Sequence, residues 1–280
     1  MGAFVSDRRT RVYEKQTTGI RNFKLNDFLS SEYIICPSIS EQEQIVYIGC
    51  HSAGDWGAEK VIDAARELKK SLMCHLFTYG PVPYDQINDV PLKETEIGPV
   101  PEHWRLSALG DIVNIRRGAS PRPKGNPRYF AKKGIHWIKI SDLRKYQRGK
   151  FLAGTDEFLT EEGKRKSFFV EAGTLLLTNS GTVGKPVILG IDGCIHDGYL
   201  ALLEPNVDKN YLYYLLEKSR KKLIELAPRC TQPNLNTMIV KAFRVPLPPI
   251  PEQQQIARIL QTVDRKIEAE ENRKRAIETL

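Results

Sequence analysis

The residues of this chain that could do chemistry are few and scattered. His196-Asp197 could act as an acid–base pair, but no nucleophile motif accompanies it. Gly181-Thr182-Val183-Gly184-Lys185-Pro186 is not a phosphate-binding loop. Its glycines stand too close together, and Pro replaces the Ser or Thr that would hold magnesium. Glu162-Gly163-Lys164 fits the tail of a nuclease carboxylate motif, yet no Pro-Asp strand precedes it. Asn126-Pro127-Arg128-Tyr129 differs by one residue from the Asn-Pro-Pro-Tyr motif of adenine methyltransferases, and no glycine-rich cofactor loop precedes it. The cysteines (Cys36, Cys50, Cys74, Cys194, Cys230) form no C-x-x-C pair. Cys50-His51 and Cys74-His75 are neighbours, a poor geometry for two ligands on one metal. These readings predict no catalytic residue, no metal and no cofactor, with reduced thiols as in the cytoplasm.

Charge points elsewhere. Residues 116–150 hold twelve basic side chains: Arg116, Arg117, Arg122, Lys124, Arg128, Lys132, Lys133, Lys139, Arg144, Lys145, Arg148 and Lys150. Asp142 is the single acid among them, although the whole chain carries only +8. Tyr129, Phe130, His136, Trp137 and Tyr146 interleave the cations. A basic, aromatic-studded stretch without catalytic grammar is a nucleic-acid face rather than an active site.

Other elements must position that face. The segment Pro37-Ser38-Ile39-Ser40-Glu41-Gln42-Glu43-Gln44-Ile45 recurs as Pro248-Pro249-Ile250-Pro251-Glu252-Gln253-Gln254-Gln255-Ile256, identical at six of nine positions. The offset is too long for a solenoid, so the repeat suggests a duplicated unit of domain, hinge and helix. After the second copy, Ile256, Leu260, Val263 and Ile267 form a helical stripe, and Pro251 suits the first turn. After the first copy, Val61, Ala65, Leu68, Leu72 and Leu76 form a similar stripe that ends at Gly80-Pro81. Gly49, Gly54 and Gly57 interrupt the start of that helix. Two narrow stripes predict antiparallel packing into a rod.

Residues 81–100 are rich in Pro and Gly and read as a linker. A mixed domain follows over residues 101–246. Trp104, Leu106, Leu109, Ile112 and Ile115 suggest a helix running into a strand. Residues 135–140 alternate as a strand, and residues 168–178 suggest a strand pair turning at Glu171-Ala172-Gly173. Residues 187–189 and 199–203 are further strands. Residues 210–226 form a helix with Tyr211, Tyr214, Leu215 and Ile224 on its apolar side. The fold class is therefore α+β. No apolar run is long enough for a membrane span. The start is polar and basic, not a signal peptide, although Met1-Gly2 with Ser6 fits a loose myristoylation pattern.

Several segments together resemble the specificity subunit of type I restriction-modification systems. They are the hinge Leu247-Pro248-Pro249-Ile250-Pro251-Glu252-Gln253-Gln254-Gln255-Ile256-Ala257, the helix end Leu76-Phe77-Thr78-Tyr79-Gly80, and the domain start Gly98-Pro99-Val100-Pro101-Glu102-His103-Trp104 with Leu109-Gly110-Asp111-Ile112. Within the domain, Trp137-Ile138-Lys139-Ile140-Ser141-Asp142-Leu143, Thr178-Asn179-Ser180-Gly181-Thr182-Val183-Gly184 and Thr231-Gln232-Pro233-Asn234-Leu235-Asn236 fit the same pattern. The likeness covers nearly all of residues 16–280. It implies one mixed α/β target recognition domain flanked by long conserved helices that pack as an antiparallel coiled-coil arm. The divisions it implies are a remnant of a preceding recognition domain (1–37), a partly degenerate central helix (38–80), a linker (81–100), a recognition domain (101–246) and a truncated distal helix (247–280).

The resemblance implies a non-catalytic, cytoplasmic, sequence-specific DNA-binding subunit. It would read one half of a split target on double-stranded DNA and dock modification (methyltransferase) subunits. The restriction subunit would join through the complex, and a homodimer of half-subunits would rebuild a two-domain reader. The expected DNA contacts are Arg116, Arg117, Arg122, Lys124, Lys139, Ser141, Arg144, Lys164, Arg165, Lys166, Thr178, Asn179, Ser180, Lys185, Gln232 and Asn234. Arg117, Arg122, Asn179, Gln232 and Asn234 are the candidates for base reading. Gly118, Gly181 and Gly184 would admit close backbone approach to the duplex. Leu68, Leu72, Leu76, Ile256, Leu260, Val263 and Ile267 are the expected partner-binding seam. The alternatives are a silent or decayed fragment serving as a recombination donor, which the interrupted helix favours, a stand-alone nuclease, which lacks a carboxylate cluster, and a coiled-coil adaptor indifferent to its basic stretch.

Overall fold

The structure, a computed structural model, describes residues 14–17, 20–23, 58–228 and 234–278. The first hinge copy, the glycines at 49, 54 and 57, and Gln232 lie outside the described residues. Strands β1 (Glu14–Thr17) and β2 (Ile20–Phe23) pair as an antiparallel hairpin. Helix α1 (Ala58–Tyr79) leads to the central domain. The domain runs β3 (Leu92–Lys93), β4 (Val100–Pro101), β5 (Arg105–Ala108), α2 (Leu109–Ile112), β6 (Asn114–Arg117), β7 (Phe130–Ala131), β8 (Ile135–Ile138), α3 (Asp142–Tyr146), β9 (Gln147–Arg148) and β10 (Phe151–Leu152). It continues with β11 (Glu157–Leu159), α4 (Glu161–Arg165), β12 (Phe168–Val170), β13 (Leu175–Thr178), β14 (Pro186–Leu189), β15 (Gly193–Ile195), β16 (Tyr199–Leu203), α5 (Lys209–Leu226), α6 (Thr237–Ala242) and β17 (Arg244–Leu247). Helix α7 (Ile250–Glu278) follows.

Two sheets and a helical layer stack on one another. One sheet has the order β6-β16-β13-β14-β10-β9, the other β12-β15-β8-β11-β7. Leu176, Val187, Leu189, Tyr199 and Ala201 of the first meet Ile138, Val170 and Ile195 of the second. The alternate residues Leu175, Leu177, Ile188, Leu200 and Leu202 face the other way, into a core shared with Leu212, Leu215 and Leu216 of α5 and with both long helices. The first sheet is thus covered on both faces, which is why its strands read as unbroken apolar runs.

Helices α1 and α7 pack antiparallel. Glu59 pairs with Lys274, Arg66 with Glu271 at 2.8 Å, and Lys69 with Asp264 at 2.9 Å. At the opposite end, α1 stops at Gly80, whose φ of 85° is the left-handed cap; its N–H donates to Leu76 O at 3.2 Å and Pro81 follows. Lys69 also meets Glu217 of α5 at 2.8 Å, and the Tyr214 hydroxyl donates to Asp264 at 2.6 Å. Burial works against the Lys69 ammonium, but the two carboxylates outweigh it and hold its pKa above the ordinary lysine value.

The hinge has a defined task. Glu252 accepts the buried Trp104 indole N–H at 2.9 Å and meets His103 at 2.8 Å. Gln253, itself buried, accepts from Asp208 N–H at 2.9 Å and donates to Pro248 O at 2.8 Å. Asp208 in turn caps α5 through Asn210 and Tyr211 N–H. The Glu-Gln dipeptide therefore fastens the arm to both the start and the helical layer of the domain.

Several expectations need correction. The stripes form, but they close on the chain itself: Leu72, Leu76, Ile256, Leu260 and Val263 are buried in its own core, with Ile267 packed against it. In this arrangement the chain's own residues cover them, while Leu68 faces solvent at 40% exposure. Ile224 is 42% exposed, because Leu216 and Leu223 supply the buried side of α5 instead. Residues 104–115 form strand, single helical turn and strand. Residues 168–178 turn as expected, yet β12 pairs with β15 and β13 with β14 and β16, so the two strands belong to different sheets. The stretch 81–100 contains a 3-10 turn at Tyr84–Asp89, and β3 pairs with β4 at its end.

Candidate nucleic-acid interface

Four loops meet where β6, β8, β13 and β15 end. Each is held by backbone bonds to another. Gly118 N–H donates to Tyr199 O at 2.9 Å and Ala119 N–H to Ile195 O at 3.1 Å. His196 N–H donates to Ile138 O, and Asn179 N–H to Gly198 O, both at 2.9 Å. Leu235 N–H donates to Asn179 O at 2.9 Å, which brings residues 234–236 alongside. The 139–142 loop is tied down by Asp142, which accepts Lys139 N–H at 2.7 Å and the Thr155 hydroxyl at 2.9 Å. Burial raises the Asp142 pKa, against those two hydrogen bonds.

Asp197 is the hub. Its Oδ1 accepts from the Ser120 hydroxyl at 2.9 Å and lies 2.9 Å from His196 Nε2, and its Oδ2 lies 3.7 Å from the Arg122 guanidinium. Its main-chain oxygen accepts from Arg117 Nε at 2.8 Å and from Asn179 Nδ2 at 3.1 Å. His196 Nδ1 accepts Gly198 N–H at 2.9 Å, so the hydrogen-bond network assigns the proton to Nε2. The pair that looked like acid–base machinery is a fastening between loops.

Burial lowers the His196 pKa, Asp197 opposes the shift, and Lys139, Lys124 and Arg117 add to it. Those three cations therefore surround the imidazole. Below the ordinary value of 6.5 the unfolded chain takes up the proton before the folded one does. The stability from neutral His196 is thus complete above 6.5 and is lost as pH falls toward the depressed value. Thermal melts at about pH 5 and about pH 7.5 should show the wild type losing more on acidification than His196→Gln. Equal losses would contradict this assignment.

The predicted contacts divide into groups. Arg117, Arg122, Lys124, Lys139, Ser141 and Ser180 gather at the loop cluster, and Arg122 projects at 70% side-chain exposure. Asn234 is exposed beside it. Arg116 lies over the Phe168 ring at 4.5 Å, and Lys164 over Phe169 at 4.3 Å. The Ser167 hydroxyl donates to Ala119 O at 2.6 Å, which sets Lys164, Arg165 and Lys166 next to the 118–124 loop. Arg144 is exposed on α3.

Three expected contacts are placed otherwise. Thr178 and Asn179 are fully buried. The Thr178 hydroxyl donates to Thr182 O and accepts Lys185 N–H, and Asn179 Nδ2 donates to Asp197 O while its buried Oδ1 has no partner, so both sit inside the turn rather than reach outward. Lys185 is half-buried and lines the cleft between arm and domain, where burial and Arg220 lower its pKa. Two of the three glycines follow suit, while Gly181 remains exposed. A Cβ on Gly118 would lie 2.3 Å from His196 O, so its close approach is to its own chain. Gly184 packs on Arg220 and Leu223 of α5. Sequence reasoning missed Ser120 and read Asp197 only as half of an acid–base pair with His196; no local pattern marks either as a fastening between loops.

Among the described residues no group of His, Cys, Asp and Glu is placed to hold a metal ion. No described helix is long and apolar enough to cross a membrane.

Comparison with known proteins gives the cluster its context. The chain is 28% identical over 256 residues to the type I restriction enzyme MjaVIII specificity subunit of Methanocaldococcus jannaschii, covering 86% of this chain and 57% of that one. It is 26% identical over 196 residues to the MjaIX specificity subunit of the same organism, covering 69% and 45%. The chain spans about half the length of these curated relatives. The fold matches the HsdS subunit from Thermoanaerobacter tengcongensis with a TM-score of 0.56 at 16% identity, over 84% of this chain and 51% of that one. It matches the type I S subunit from M. genitalium with a TM-score of 0.52 at 16% identity, over 97% and 66%. Residues 101–279 match the family described as type I restriction modification DNA specificity domain, and the chain belongs to that family.

Proposed function

We propose that the chain addresses a type I restriction-modification assembly to DNA. The loop cluster around Asp197 would hold one half of a split target on double-stranded DNA. Arg116, Arg117, Lys124, Lys139, Arg144 and the Lys164-Arg165-Lys166 run would contact phosphates, which position the duplex without reading it. Arg122 and Asn234, exposed at the centre of the cluster, would approach base edges, with Gln232 from the adjoining segment. Ser141 and Ser180 would supply neutral hydrogen bonds. Thr178 and Asn179 are positioning residues in this reading.

The observation that carries the proposal is the convergence of cations from three separate segments, residues 117–124, Lys139 and residues 164–166, with no metal-binding cluster among the described residues. Modification subunits would dock on the outer, charged surface of the arm, since its apolar seam is used within the chain. Chemistry would belong to those subunits.

The test is methylome sequencing of cells that express this chain with a cognate modification subunit. Methylation at one defined motif is expected, and it should disappear when Arg117 and Arg122 are both changed to Gln. A folded chain that co-purifies with the modification subunit and yields no motif would contradict the proposal. Substitutions that leave methylation intact would do so as well.

A further inference from the structure

The loop cluster carries a charge that a simple phosphate cradle would not keep. Residues 117–124, 139–142, 178–184, 196–198 and 234–236 contain only two acids, Asp142 and Asp197. Asp142 is buried behind Lys139 N–H and the Thr155 hydroxyl. Asp197 remains 31% exposed in its side chain, with Arg122 and His196 beside its carboxylate, Arg117 on its main-chain oxygen, and Lys124 and Lys139 near the same imidazole. Its Oδ1 accepts from Ser120 and lies 2.9 Å from His196 Nε2. Its Oδ2 has only the longer 3.7 Å approach of Arg122.

A carboxylate at this position repels any phosphate brought to the face. It therefore weakens the sequence-independent part of duplex binding. The same oxygen accepts well from an exocyclic amino group, N4 of cytosine or N6 of adenine, which the major groove presents. The two effects favour one outcome, in which binding is strong only where an amino group meets Asp197. Ser120 and His196 fix the rotamer, so the acceptor is held in place before the duplex arrives.

We infer that Asp197 is a specificity-determining residue of the DNA site, an acceptor for a base amino group that also suppresses binding to non-target duplex. The inference rests on the DNA-binding reading above. It differs from a merely structural role, in which Asp197 would only tether the 118–124 loop through Ser120.

The experiment uses the full chain and a duplex of mixed sequence, with affinity measured across a salt series. A selection from a randomised duplex pool follows. Asp197→Asn keeps the size and removes the charge. It should bind mixed duplex several-fold more tightly, with the salt slope steeper by about 0.9. Its selected motif should lose about tenfold or more of its preference at one base pair. Asp197→Glu, which retains the charge, and Ser120→Ala, which removes only the tether, should bind mixed duplex as weakly as the wild type.

An Asp197→Asn protein with unchanged affinity, slope and motif overturns the inference. Ser120→Ala reproducing the Asn phenotype also overturns it, since the tether would then be the cause. Binding by the wild type that Arg116→Gln with Arg117→Gln abolishes keeps the DNA-binding reading intact in either case. Absence of any duplex binding by the wild type sinks both.

Discussion

Replacing Arg116, Arg117, Lys124 and Lys139 together by Gln should flatten the salt dependence of duplex binding by about 3.6 in log–log slope. Each phosphate contact releases close to one counterion, so four lost contacts lower affinity by about three orders of magnitude near 0.1 M salt. The fold should survive, since only one of the four makes a hydrogen bond that anchors a loop, Arg117 to Asp197 O. Lys139 also pairs with Glu157, but on a surface where such a pair contributes little. Changing the exposed Arg258 and Arg265 of α7 provides the control, because they remove charge from the arm and not from the loop cluster. Fluorescence anisotropy over a salt series reads both. A quadruple variant whose slope equals that of the wild type would remove the loop cluster from DNA binding.

Glu252→Leu should cost about 2 kcal/mol, because the fully buried Trp104 indole N–H loses its acceptor. For a domain of this size that lowers the melting temperature by roughly 4–8 °C. Gln253→Leu should cost a similar amount, since it orphans both Asp208 N–H and Pro248 O. Glu252→Gln retains an oxygen for the indole and should lose about half as much or less. Scanning calorimetry provides the number, and tryptophan emission reports whether Trp104 has changed its surroundings. Equal melting temperatures for the Leu and Gln variants would mean that the hydrogen bond to Trp104 contributes nothing to holding the arm.

Much of the architecture was legible because it rests on local pattern. The strands at 187–189 and 199–203 are unbroken apolar runs, and the structure covers both faces of their sheet. The arm was legible from its spacing of three and four. The antiparallel pairing of its two helices was legible too, but not that the seam is covered by the chain's own domain, because spacing states which face is apolar and not what covers it. The 168–178 segment shows the same limit. Its turn closes where Gly173 takes a φ of 85° and Thr174 N–H reaches Glu171 O at 3.2 Å. The strands on either side then find partners in different sheets, and pairing over that distance leaves no local mark. In the site, Asn179 looked like a base reader because an amide before Ser-Gly stands in a turn. Whether that amide faces outward depends on the Asp197 main-chain oxygen, which β15 delivers from eighteen residues further on. His196-Asp197 misled for the opposite reason, since its chemistry is real but is spent inside the fold.

The two helices of the arm are separated by the whole domain, and this sets an order in time. Arg66 and Glu271 meet across 205 residues of chain. Closing so long a loop from a disordered state is slow and entropically costly. The folded domain removes that cost by delivering the start of α7 to the end of α1, where Glu252 stands 3.5 Å from the position of a Cβ on Gly80. During synthesis the side of α1 that α7 covers must therefore wait until α7 has left the ribosome. Any lesion that slows the domain prolongs that interval, so chaperone dependence and aggregation should follow the folding rate of the domain rather than the composition of the arm.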